Sequence, residues 1–371
     1  MHKTSAWPLS LFMAALIVYA SLYPFADWRD QGVQAWAFLL APLPKYWTGF
    51  DVVSNLLGYA PLGFLLVLGA LRSGRGHHAL LMATLACATL SLLMEGLQSY
   101  LPVRVASNVD LALNILGGWL GGASALLLEK WGALDRWSRF RARWFVSEAR
   151  GALVLLALGP PALLFPPAVP LGLGQVLERL ESGLTSLLQG TPFLDWLPVR
   201  SVELQPLVPL AELLCVALGF LAPCLIGYSV IRALWQRALF FIALFTAGAL
   251  ASALSAALSY GPTHAWGWLS LPVQAGLGLA AMLAVLFCAL PRRACAALAL
   301  LALAVALSVL NQAPTSAYFA QTLQTWEQGR FIRFHGLAQW LGWLWPYAAL
   351  LYVLAQVSGR GSGRTANSLN I

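Results

Sequence analysis

Long apolar runs separated by short polar connections dominate the chain. Ten of them reach or approach bilayer-crossing length, at about 7–25, 51–71, 79–98, 108–128, 151–169, 206–230, 238–259, 270–290, 294–311 and 337–357. A helix needs roughly 20 residues to cross the hydrocarbon layer. Backbone polar groups in lipid must pair within the segment, so each run predicts a helix. The period-two alternation of a membrane barrel strand is absent. The pattern therefore predicts an all-α, polytopic helical membrane protein with about ten transmembrane helices. The fifth run carries Pro160, Pro161, Pro166 and Pro167, which predicts a kinked or shortened helix there.

Polar residues break this pattern most sharply in MEGLQSYLPVRVASNVDLALN, residues 94–114, which apolar sequence flanks on both sides. Glu95 and Gln98 are three apart and share a helix face, as do Asp110 and Asn114, four apart. Asp51 and Asn55, in DVVSNLLGYAPLG, repeat the four-residue spacing where the second helix begins. Three helices thus bring polar pairs to one depth, with Arg104 in the connection above them. Acids within a membrane are costly, and clustered acids repel unless a cation or shared proton intervenes. Arg104 is the expected partner, since its planar fork can hold a carboxylate through two charge-assisted bonds. The cluster is read either as an Arg–acid clamp on the third and fourth helices or as a ligand-binding site of Asp51, Asn55, Glu95, Gln98, Arg104, Asp110 and Asn114. Gly117 with Gly121, and Gly118 with Gly122, form two GxxxG pairs, so the fourth helix can pack closely without polar help.

Composition agrees with a membrane class. Of 371 residues, 60% are hydrophobic and only 10% charged, against roughly 25% charged in soluble domains. The formal net charge of +8 suggests an anionic partner, but its distribution points to topology. With the N-terminus cytoplasmic and sides alternating, the inner segments hold 15 of the 22 Lys and Arg residues, from Lys3 to Arg364. They hold only Glu129, Asp135 and Glu148 of the 14 acids. This positive-inside bias predicts cytoplasmic N- and C-termini and a multi-pass protein of the plasma (inner) membrane. It also predicts attraction to anionic lipid, strongest in WGALDRWSRFRARW, rather than binding to nucleic acid. The opening MHK before an apolar run also fits a signal peptide, with VYA at 18–20 as a cleavage site. The charge balance of the later helices favours a retained first helix.

The expected organisation is a four-helix membrane domain at 1–128, a basic cytoplasmic linker at 129–150, a six-helix membrane region at 151–357 and a flexible tail at 358–371. An outer loop contains GQVLERLESGLTSLLQG, where leucines recur at helical spacing. It predicts an amphipathic helix near 174–189 lying along the membrane face. A second outer loop at 312–336 holds Glu327, Arg330, Arg333 and His335, followed by an aromatic belt of Trp340, Trp343 and Trp345. The five cysteines, Cys87, Cys215, Cys224, Cys288 and Cys295, read as buried free thiols. No metal or cofactor motif is present, and the scattered histidines read as interfacial.

The ordered set Asp51-x-x-x-Asn55, Pro61-Leu62-Gly63, Glu95-x-x-Gln98, Arg104, Ser107, Asp110-x-x-x-Asn114 and Gly117 resembles the VanZ-like family over about residues 1–130. That family is named after an accessory protein of glycopeptide-resistance clusters that confers low-level teicoplanin resistance. The resemblance implies a cell-envelope setting rather than a defined reaction. The entry to the second helix departs from the family's Asp-Lys…His form, carrying Val52 and Asn55.

Three functions are compatible with these residues. The first is a non-catalytic envelope module whose cluster binds membrane lipid, a lipid-linked envelope precursor or a lipophilic glycopeptide. The second is an enzyme acting on envelope lipid or polysaccharide, with Glu95 or Asp110 as base or cation ligand. Against it, HExxH, Walker and GxSxG motifs are absent. The third is a transporter or flippase, which the missing internal repeat disfavours.

Overall fold

The computed structural model describes residues 4–43, 49–197, 204–314 and 332–358, apart from Ser5, Pro24, Ala26 and Val33. For Phe50, Tyr260 and residues 332–337 it describes the backbone alone. Glu327, Arg330, the tail from 359 onward and the side chains of Arg333 and His335 thus lie outside the described residues. The chain is all-helical, and its described residues contain no strand, only an isolated antiparallel bridge between Phe145 and Ile231. Two compact units divide it, residues 1–139 and 140–371.

The first unit contains α1 (Ala6–Leu22), α2 (Gly49–Arg72), α3 (Ala79–Gln98) and α4 (Asn108–Lys130), with a short 3-10 turn at Ala37–Leu40 between α1 and α2. Asp51 in the first turn of α2 and Arg72 in its last complement the helix dipole, as do Asp110 and Lys130 on α4. α2 and α4 share the most extensive helix–helix contact of this unit. The glycine pairs make it possible. A Cβ on Gly117 or Gly121 would collide with the carbonyls of Leu56 or Ala60 on α2. One on Gly118 would strike Cys87, and one on Gly122 Leu80, both on α3. Gly117 and Gly121 thus face α2, whereas Gly118 and Gly122 sit where both α3 and α2 come close, Val67 of α2 lying against Gly122, and small residues let the backbones approach. Gly63 of the Pro61-Leu62-Gly63 stretch meets the Gly118 carbonyl in the same way.

The basic segment is more ordered than a linker. It forms α5 (Ala133–Trp144), an amphipathic helix with Arg141 and Arg143 in its last turn. The second unit then holds α6 (Arg150–Ala162), α7 (Leu177–Leu188), α8 (Pro209–Val230), α9 (Leu234–Tyr260), α10 (Leu271–Phe287), α11 (Arg292–Leu310) and α12 (Ile332–Ser358). α8 is buried along most of its length and packs on α10 and α11, as an all-round apolar helix should. α9 instead leaves Leu234, Leu239, Ile242, Leu250 and Leu254 exposed, a surface suited to lipid.

The prolines shorten the fifth run as expected. α6 stops at Ala162, with Pro160 and Pro161 in its last turn. The chain then continues without helix to Val176, yet Leu163, Phe165, Val169, Leu171, Gly172, Gly174 and Gln175 are buried. Buried irregular backbone needs partners for its polar groups, and here other parts of the second unit supply them. Asn311 Oδ1 accepts from the amides of Val176 and Leu177, and its Nδ2 donates to the Gly174 carbonyl. Tyr347 Oη donates to the same carbonyl, Gln175 Nε2 to that of Ala313, and the Gly174 amide to that of Gly342.

Among the described residues, seven helices are long and apolar enough to cross a membrane, and α1, α6 and α10 are shorter apolar helices. The chain is a multi-pass helical membrane protein. All five cysteines are free, with Cys288 half-buried and the other four buried.

Candidate polar site of the first unit

The expected meeting of three helices occurs, in two layers. Helix-periodic spacing puts Asn55 and Tyr59 on one face of α2, Ser91 and Glu95 on one face of α3, and Asp110 and Asn114 on one face of α4. In the layer nearer the helix ends, Asn55 Nδ2 donates to Asp110 Oδ1 at 2.8 Å. Ser107 caps α4, its Oγ accepting from the Asp110 amide at 3.4 Å, and its own amide donates to Glu95 Oε2 at 2.9 Å. These links run α2 to α4 to α3 without a break. One helical turn deeper, roughly 5 Å, Asn114 Nδ2 donates to Ser91 Oγ at 2.9 Å.

Burial differs sharply among these groups. Glu95 is only 3% exposed and Asn114 5%, whereas Asp110 is half-buried and Asp51 exposed in the first turn of α2. The deeper layer is incompletely satisfied. Asn114 Oδ1 and the Tyr59 hydroxyl are buried without a hydrogen-bond partner, Tyr59 lying beside Ser91 but outside bonding geometry. A buried polar group left so costs about 1–3 kcal/mol.

Two expected members do a different job. Gln98 Nε2 donates to the Ser21 carbonyl at 3.1 Å. Arg104 Nη2 donates to the carbonyls of Ala20 and Tyr23 at 3.0 and 2.9 Å. They fasten the end of α1 to the last residue of α3 and to the α3–α4 connection. The two donations identified for Arg104 go to main-chain carbonyls. The carbonyls of a helix end lack intrahelical donors and welcome such a cation.

Sequence reasoning missed Tyr59, Ser91 and the loop before α2. The first two were within reach, because each lies four residues from a chosen polar residue. The loop was not. Trp36 packs so closely on Gly96 that a Cβ there would meet its ring. Gln31 Nε2 donates to the Ser99 carbonyl, Ser99 Oγ to that of Ala35, and Asn108 Nδ2 to that of Ala41. The segment between α1 and α2 thus lies over the end of α3 and the start of α4.

Chemically, the arrangement offers carboxylates of graded exposure backed by amides and a nearby guanidinium. Among the described residues no three His, Cys, Asp or Glu side chains group so as to hold a metal ion.

Comparison with known proteins agrees with the ordered motif. Residues 4–129 match the family model described as VanZ/LLP1. No curated protein and no solved structure matches the chain significantly.

Proposed function

From a VanZ-like domain at residues 4–129 set in a multi-pass helical membrane chain, we propose a non-catalytic module of the plasma membrane that serves the cell envelope. In this reading about ten spans leave both termini in the cytoplasm and the polar site of the first unit in the outer leaflet, which the bias of Lys and Arg toward alternate connections supports. There Asp51, Asp110 and Glu95 accept hydrogen bonds from the hydroxyls or amides of a lipid-linked envelope precursor or a lipophilic, teicoplanin-type glycopeptide. Asn55 and Asn114 orient the acceptors, while Gln98 and Arg104 hold α1 against them.

The observation that carries this reading is the pairing of Glu95 and Asp110. They come from different helices and meet at Ser107, whose amide donates to Glu95 Oε2 and whose Oγ accepts from the Asp110 amide. Neighbouring carboxylates disfavour joint ionisation, and a donor-rich ligand would relieve that. The glycine contacts already pack α4 on α2 and α3, so packing does not require the acids.

The test is glycopeptide susceptibility and labelled-precursor binding in cells expressing Asp51→Ala or Asp110→Asn. Protection and binding should fall at least several-fold with the amount of membrane protein unchanged. If protein level and phenotype decline together, the cluster is a clamp and the ligand reading fails.

A further inference from the structure

A second polar crevice lies wholly in the second unit, where α7 meets the irregular 163–176 segment and α12. Phe165, Gly172, Gly174, Arg179, Gln339 and Trp343 line it, around a cavity of about 30 Å³, room for roughly one water-sized group. Of its polar side chains, Arg179 brings a guanidinium, and Gln175 and Gln339 bring amides with a donor nitrogen and an acceptor oxygen each. The Arg179 guanidinium lies 5.1 Å from the centre of the Trp343 ring. Among the described residues it has no hydrogen-bond acceptor. Gln339 Nε2 is buried with no hydrogen-bond partner. Burial also pulls the Arg179 pKa below its ordinary value, opposed by the adjacent Glu178 carboxylate. A half-desolvated cation beside an orphaned amide donor lacks an anion that accepts from both.

The surroundings say where that anion comes from. On α7, Leu177, Leu180, Leu184 and Leu187 are all exposed, with no residue of the helix buried. Such a leucine face lies in the membrane interface. Trp340 and Trp343 form an edge-to-face pair 5.2 Å apart, of the kind that sits at headgroup level. A crevice this small admits phosphate oxygens, not a whole headgroup, so the rest of the ligand must lie along the apolar flank.

We propose that this crevice is a binding site for the phosphate of an anionic membrane phospholipid, held by Arg179 and Gln339, with the acyl chains beside α7. The site is independent of the polar cluster in the first unit.

The test uses the full-length protein purified in a neutral detergent. Melting temperature is followed by tryptophan fluorescence as phosphatidylglycerol, phosphatidylcholine or inorganic phosphate is added. Phosphatidylglycerol should raise it, and the other two should produce less than half that rise. Arg179→Ala should lose most of the rise and Arg179→Lys retain part of it. Arg293→Ala, an exposed cation at the start of α11 and away from the crevice, should keep it. Gln339→Leu removes an unsatisfied donor, so its lipid-free melting temperature should be unchanged or higher while its rise shrinks. This variant keeps the test valid even if Arg179→Ala fails to fold. An equal rise in Arg179→Ala and wild type would overturn the proposal. So would an equal effect of inorganic phosphate, or a loss as large in Arg293→Ala. A Gln339→Leu protein that melts lower without lipid yet keeps the full rise would do the same.

Discussion

Glu95 shows how much a single side chain carries in the first unit. It is nearly enclosed, and its Oε2 takes the Ser107 amide at the start of α4. Glu95→Ala strands that amide, so we expect a loss of about 1–3 kcal/mol, read as a lower melting temperature of the purified protein. Glu95→Gln keeps an acceptor oxygen and should lose less. Asp51→Ala, at an exposed position, should change stability by no more than about 0.5 kcal/mol. An equal loss in all three would contradict the burial gradient. At this scale the sequence was informative about which residues converge, because helical spacing fixes which side chains share a face. It was silent about the acceptors of Arg104 and Gln98. Those are carbonyls of Ala20, Tyr23 and Ser21, and every residue has a carbonyl, so no letter marks them.

Among the elements, α4 shows the clearest relation of sequence to packing. Gly121→Leu would force a side chain into the Ala60 carbonyl. It should part α2 from α4 and abolish a monodisperse purified protein, whereas Gly58→Ala, with open space at its Cβ, should behave as wild type. Gel filtration of the two variants decides this, and equal profiles would show that the close approach is dispensable. The segment after α6 was legible only halfway. Its prolines announced a short helix, but its anchors lie far along the chain, at Asn311 and Tyr347, and long-range partners leave no local pattern. Asn311→Leu strips the caps from Val176 and Leu177 and the donor from the Gly174 carbonyl. At about 1–3 kcal/mol for each buried group left unsatisfied, it should loosen the start of α7. Faster proteolysis between α6 and α7, with the rest of the chain resistant, would register this.

For the whole molecule, the charge asymmetry makes a prediction about sidedness. Val105 is exposed in the α3–α4 connection, and Arg75 in the α2–α3 connection. With the N-terminus inside, Val105→Cys should react with a membrane-impermeant maleimide in intact cells. Arg75→Cys should react only after permeabilisation. The reverse pattern would move the polar site to the cytoplasmic leaflet and remove access from outside. Class and helix positions were readable from hydropathy because lipid imposes one solution on the backbone. The α5 helix was not, since a basic segment outside the apolar runs reads equally well as a tether until Trp144 is seen edge to face with Trp235.

The buried stretch from Leu163 to Val176 also bears on the order in which this protein is made. Its backbone is satisfied by residues of α12 and of the turn after α11, and a ribosome delivers those more than a hundred residues later. Until they emerge, the nascent chain must shelter peptide groups that lipid cannot solvate, in the translocon or at its watery margin. Maturation of the second unit is therefore retrospective: an early piece waits, half-finished, for the last helices to arrive and close it.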